Sequence, residues 1–131
     1  MKVNEFILYG LGGYQEVINK IIADINNCEY EFDIRLILTE ALTNSFKHGN
    51  RNDSNKPIYL RYSCNGSSVK FEIKNSGVEY ENVIIPEPIS DENILSNSGR
   101  GLFLIKCIAD HMEVKNNTLI IQKYLTCNEI T

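Results

Sequence analysis

The pattern of apolar residues along the 131-residue chain predicts an α+β fold: a two-layer sandwich with helices packed on one face of a mixed, mostly antiparallel sheet. Three observations lead there. Two long stretches space their apolar residues by three and four, which gives a helix one buried stripe. Two shorter stretches alternate strictly on either side of Asn65-Gly66, as strands of a hairpin with one wet face do. No regular strand–helix–strand period is present, as a doubly wound parallel sheet would require.

The elements follow in order. Phe6, Ile7, Leu8 and Tyr9 predict a short first strand, closed by Gly10, Gly12 and Gly13. Tyr14, Val17, Ile18, Ile21, Ile22 and Ile25 predict an amphipathic helix that Asn26-Asn27 ends. The next helix, capped by Asp33, carries Ile34, Ile37, Leu38, Ala41, Leu42 and Phe46 on its apolar stripe, runs to His48 and stops at Gly49. A polar loop spans residues 50–57. Ile58, Leu60 and Tyr62 then alternate with Tyr59, Arg61 and Ser63, and Val69, Phe71 and Ile73 alternate with Lys70, Glu72 and Lys74. Pro86, Pro88 and a run of Asn and Ser make residues 78–97 a long loop, a length that in small domains serves function. A helix from about Gly101 to His111 is apolar nearly all round and so expected to be central. Val114 and Leu119 to Ile121 flank Asn116-Asn117 as a final hairpin. The whole reads as one domain, residues 1–131.

Composition narrows the function classes. Thirteen Lys and Arg against seventeen Asp and Glu give a net charge of −4. The basic residues are scattered, which argues against a nucleic-acid partner. No apolar run approaches the roughly 20 residues that span a bilayer, and the N-terminus lacks the form of a signal peptide. Cys28, Cys64, Cys107 and Cys127 form no Cys-x-x-Cys pair, and His48 and His111 are the two histidines. That spacing argues against a zinc site or a disulfide framework, and for reduced thiols in the cytoplasm.

Two motifs carry chemistry. In Glu40-x-x-x-Asn44-x-x-x-His48-Gly49, residues four apart form one polar row along a helix, bordering the apolar stripe. A carboxylate and a carboxamide one turn apart, half-sunk beside a core, suit a charged ligand held through a metal ion. The Asn44 carbonyl oxygen suits Mg²⁺, which takes few protein ligands, and Glu40 is placed to accept a proton. Taken singly, each has a plainer role, Asn44 bonding backbone and Glu40 as a solvated helix charge. The second motif, Ser98-Gly99-Arg100-Gly101-Leu102, opens a helix, where free N–H groups and the helix dipole attract anions and glycine admits a phosphate to the backbone. Its plain alternative is a turn capped by Ser98. His48 and His111 are read as structural residues at helix ends, and Lys47 as a solvated charge.

These residues resemble a known family. Glu40-x-x-x-Asn44-x-x-x-His48-Gly49 looks like the N box of the Bergerat-fold, or GHKL, ATPases, closest to the form found in anti-sigma factor serine kinases. Ser98 to Leu102 is similar to their second glycine box, and the resemblance covers nearly the whole chain. It implies ATP and Mg²⁺ as cofactors, Glu40 as catalytic base, and Asn44 as the residue that holds the metal against the phosphates. It implies that residues 78–97 are an ATP lid and that Gly99, Arg100, Gly101 and Leu102 line the phosphate site. Thr118 would lie near the adenine. The implied activity is phosphorylation of a serine on an anti-anti-sigma partner, with a sigma factor as the alternative partner and a homodimer as the usual assembly. The first glycine box departs from the family's Asp-x-Gly-x-Gly: here it is Asn75-Ser76-Gly77-Val78-Glu79. Asn75 and Gly77 keep the adenine-side positions, but Asn75 offers one carbonyl acceptor and no charge. That departure predicts weaker ATP binding, and with it a competing role as a partner-binding module without useful turnover.

Overall fold

The computed structural model describes residues 2–26, 28–75, 97–115 and 118–125, with backbone alone at 28, 48, 49 and 97–100. Five strands form one open sheet: β1 (Lys2–Tyr9), β2 (Pro57–Cys64), β3 (Ser68–Asn75), β4 (His111–Lys115) and β5 (Thr118–Tyr124). Their spatial order is β1-β2-β3-β5-β4. Among the described residues, helices α1 (Tyr14–Ile25), α2 (Glu31–Asn44) and α3 (Asn97–Ile108) form the second layer. The α+β, helix-on-sheet expectation therefore holds.

One part of it changes. Every strand pairing among the described residues is antiparallel, so the sheet is not mixed. The returning β4–β5 hairpin sets β5, not β4, beside β3; β4 in that place would have run parallel to it.

Alternation decides which face is buried. Ile58, Leu60 and Tyr62 of β2, Val69, Phe71 and Ile73 of β3, and Leu119 and Ile121 of β5 all face the helices and are buried. They pack against Ile18 and Ile21 of α1, Ile34, Ile37, Leu38, Ala41 and Leu42 of α2, and Leu102 and Ile105 of α3. Each Val, Leu, Ile or Phe side chain among them stabilises the fold by about 1.5–3 kcal/mol when fully buried. The other face stays open to solvent. Arg61 there lies 3.8 Å from both Glu5 and Glu72, contacts of exposed groups that add little stability.

The hairpin at Asn65-Gly66 forms as its sequence predicts. Gly66 takes a positive φ of 92°, and the Asn65 side-chain oxygen accepts from the backbone N–H of Ser67 at 3.0 Å and of Ser68 at 2.9 Å. Asn26 ends α1 in the left-handed conformation, donating its N–H back to the Ile22 carbonyl at 2.9 Å. The C-terminal end of α1 is tied to the sheet by a polar cluster. The Tyr62 hydroxyl donates to the Asp24 carboxylate and accepts from Asn4 Nδ2 at 3.2 Å, while Lys2 Nζ lies 3.2 Å from Asp24 Oδ1. The Tyr62 bond, and then Lys2, hold the Asp24 carboxyl below its usual range. Burial, and then the Asp24 bond, push the Tyr62 phenol up to about 12.

Several boundaries differ from expectation. A 3₁₀ turn, Cys28–Tyr30, leads into α2, whose N-cap is Tyr30 rather than Asp33. Asp33 instead lies in the first turn, where its charge complements the helix dipole. Helix α3 starts at Asn97, so Ser98, Gly99 and Arg100 lie inside its first turn rather than before it. It ends at Ile108, and His111 is the first residue of β4 instead of a helix cap. The Asp110 N–H bonds the Gln122 carbonyl at 2.9 Å, which commits the chain to the sheet there. Among the described side chains of α3, Leu102 and Ile105 face inward while Cys107 is exposed, so the helix is not buried all round.

Candidate functional site

Helix α2 does not continue to His48 as an α-helix. Its regular winding stops at Asn44, and residues Ser45–Gly49 form one π turn, closed by the Asn50 N–H bonding the Ser45 carbonyl at 2.7 Å. Thr43 sits just before the change, with its hydroxyl bonded back to the Thr39 carbonyl at 2.8 Å, a bond that bends helices. A π turn inside a helix commonly marks a functional position. It also ends the spacing of four, so the polar row reduces to Glu40 and Asn44.

The π turn is anchored from behind. Asn50 is fully buried and donates from Nδ2 to the carbonyls of Lys56 at 2.9 Å and Pro57 at 3.2 Å. Asn52 donates to the Phe46 carbonyl at 2.8 Å. At Gly10 a Cβ would fall 2.9 Å from Ser54 Cβ, so glycine is what lets the loop after β1 close on this segment. These bonds fix the end of α2 against the start of β2, whose Ile58 pairs with Asn75 at the end of β3. The π turn itself lies against β3.

The central geometric finding is at Gly101. A Cβ there would lie 3.0 Å from Glu40 Oε1, 3.6 Å from Asn44 Nδ2 and 3.9 Å from the Glu40 carbonyl oxygen. Two motifs separated by about fifty residues in the sequence thus meet, the glycine of the second lying on the acid and amide of the first. Asn44 is buried and Glu40 half-buried, as their position beside the core predicts. The backbone of Ser98, Gly99 and Arg100 lies in the first turn of α3, where N–H groups lack helical acceptors. Asn75 is buried on the helix side of the sheet, in line with Ile73 and Phe71.

Leu102, next to Gly101, has its side chain buried in the core. Thr118 pairs with Lys74 across β3 and β5, which places it on the open face, opposite to Asn75. It lines a groove of about 540 Å³ there with Lys70, Glu72, His111 and Gln122. The structure does not bring Thr118 together with Glu40 and Asn44. Gly77 and the lid at residues 78–97 lie outside the described residues, apart from Asn97.

The residues present fit a magnesium nucleotide. A glycine whose Cβ would crowd Glu40, an amide oxygen donor one turn along, and a helix N-terminus together offer one metal ligand and several anion donors. Among the described residues no group of three or more His, Cys, Asp or Glu is placed to hold a metal ion. The pattern gave no warning of the π turn. It did contain a signal for Lys123, which shares parity with the inward-facing Leu119 and Ile121. Its ammonium reaches the helical layer, 2.8 Å from the Ile108 carbonyl.

No helix of the described residues is long and apolar enough to cross a membrane. Comparison with known proteins agrees with the geometry. The chain is 29% identical over 101 residues to an anti-sigma F factor of Geobacillus sp. (strain WCH70), covering 72% of this chain and 69% of that protein. It is 27% identical over 101 residues to the anti-sigma F factor of Anoxybacillus flavithermus, with the same coverage. It is 27% identical over 84 residues to that of Oceanobacillus iheyensis, covering 63% of this chain and 58% of the relative. The pattern describing the histidine kinase-like ATPase domain matches residues 15–123, from α1 to β5, and the chain belongs to that family.

Proposed function

We propose that this protein is a cytoplasmic anti-sigma regulatory factor that binds Mg-ATP and phosphorylates a serine on an anti-anti-sigma partner, and that it alternately sequesters a sigma factor, acting as a homodimer. The contact of Gly101 with Glu40 and Asn44 carries the reading, and the anti-sigma F relatives supply the partner class.

The roles follow from chemistry. Mg-ATP supplies the transferable phosphoryl group and neutralises its charge. Glu40 takes the proton of the attacking serine hydroxyl. Asn44 offers its carboxamide oxygen to the metal. The first-turn N–H groups of α3 and the charge of Arg100 offer donors to phosphate oxygens. Asn75 presents one carbonyl acceptor to the adenine amino group.

A second reading rests on Asn75. A buried neutral amide stands where the family has a carboxylate, and an underpaired adenine costs about 1–3 kcal/mol. A protein with that deficit acts as a partner-binding module without useful turnover. Incubation with γ-labelled ATP and a serine-bearing candidate partner separates the two. Label on the partner supports the kinase, and bound nucleotide without transfer supports the module. Absence of nucleotide binding overturns the kinase.

A further inference from the structure

One part-buried ammonium joins three elements at the far end of α3. Lys123 Nζ donates to the carbonyl of Ile108, the last residue of α3, at 2.8 Å. It lies 3.6 Å from Asp33 Oδ2 in the first turn of α2, and 5.3 Å from the centre of the Tyr30 ring at the N-cap of that helix. Its side chain is only 12% exposed. A lysine is seldom buried without partners, and each of these satisfies part of its charge. The Ile108 carbonyl is one of the four that a helix C-terminus leaves without an intrahelical donor. Neighbouring bonds hold the same corner: Asp110 Oδ2 accepts from the Tyr124 N–H at 2.7 Å.

Besides their apolar packing, helices α2 and α3 are therefore related at two polar places. At one, Gly101 rests on Glu40. At the other, Lys123 joins Ile108 to Asp33. The helices are antiparallel, and seven residues separate the two places on each of them, about 10 Å of helix rise. With matched spacing, the second contact opposes any slip of the first. If α3 slid along α2 by one residue, Gly101 would leave the Glu40 carboxylate by about 1.5 Å.

We propose that Lys123 is a positioning residue: by clamping the C-terminal end of α3 to the N-terminal end of α2, it holds the glycine-rich first turn of α3 at the distance from Glu40 and Asn44 that phosphate binding requires. It touches no ligand itself. The proposal rests on the nucleotide reading for its effect on affinity, but not for its structural claim.

The test compares wild type with Lys123→Met and Lys123→Arg. Hydrogen exchange without nucleotide is read first. Lys123→Met speeds exchange of the α3 amides by about ten- to a hundredfold, the loss expected of one hydrogen bond to a charged group, and leaves the α1 amides at the wild-type rate. Titration then compares Mg-ATP with adenosine. Lys123→Met weakens Mg-ATP by about tenfold while adenosine affinity holds, and Lys123→Arg, which keeps charge and donors, restores both readouts. Unfolding alone would not alter the ratio of the two affinities. Unchanged α3 exchange, or equal loss for both ligands, overturns the proposal. Wild type that binds neither ligand refutes the nucleotide reading and leaves the exchange result to judge Lys123. If Lys123→Met does not fold, Asp33→Asn, which removes the charge pair but keeps the carbonyl bond, is measured in the same way.

Discussion

Replacing Gly101 by alanine separates folding from function at a single atom. Gly101 lies within α3, so alanine meets no backbone strain there and gains about 0.5–1 kcal/mol of helix stability over glycine. Against this stands the new methyl group, 3.0 Å from Glu40 Oε1. That is closer than ordinary van der Waals contact, but the atom it meets is the tip of a flexible side chain. The carboxylate swings away by a few tenths of an ångström, at little cost to the fold. The melting temperature therefore stays level or rises by about 2–5 °C for a chain of this length. Catalysis has no such tolerance, since a 1 Å misplacement costs about a hundredfold. Displacing the base and crowding Asn44 at 3.6 Å lowers phosphotransfer by roughly tenfold on the same scale. Thermal melting and single-turnover transfer on one preparation decide the matter. Gly101→Ala with wild-type transfer would show that this glycine does not border the reacting groups. A fall in melting temperature of more than a few degrees would show that the packing around Glu40 is too rigid for the argument.

Further outcomes follow from the same geometry. Asn44→Ala leaves the protein folded and abolishes the magnesium dependence of nucleotide binding; calorimetric titration showing unchanged Mg-ATP affinity would rule this role out. Asn75→Asp restores the second acceptor and the charge, and tightens adenine nucleotides by about 1–3 kcal/mol, whereas equal or weaker binding by titration counts against an adenine role for that position. The Tyr62 phenol, raised to about 12 by burial and its bond to Asp24, contributes stability that is complete below its unfolded value near 10 and is lost as pH rises to about 12. Denaturant melts across that window should fall more steeply for wild type than for Tyr62→Phe; parallel curves would show that the phenol ionises as freely in the folded protein.

Much of this fold was legible in the sequence because each layer has a simple period. Ile58, Leu60 and Tyr62 alternate, Ile34, Ile37, Leu38 and Ala41 recur by three and four, and both sets are buried as their spacing requires. Direction was harder to read. The described strands are all antiparallel because β5 inserts beside β3, and no local pattern distinguishes that from β4 taking the same place. The π turn after Asn44 was hidden for a similar reason, since it depends on Asn50 reaching back to Ser45 and forward to Lys56. Glu40 and Asn44 were visible because a helix puts residues four apart on one line. That Thr118 lies on the open face was not legible, because strand parity depends on register with Lys74, which a motif match does not contain. Lys123 had the right parity, but its partners Asp33 and Ile108 come from two other elements.

Where a nucleotide sits decides between a site at Glu40 and Asn44 and one on the open face. Backbone amide resonances recorded during titration with Mn-ATP, whose paramagnetic ion broadens its neighbours, locate it directly. Broadening of Asn44, Ser45 and Gly101, with Lys70 and Gln122 on the open face left sharp, is the expected result. Broadening confined to the open face, or none at all, would contradict it.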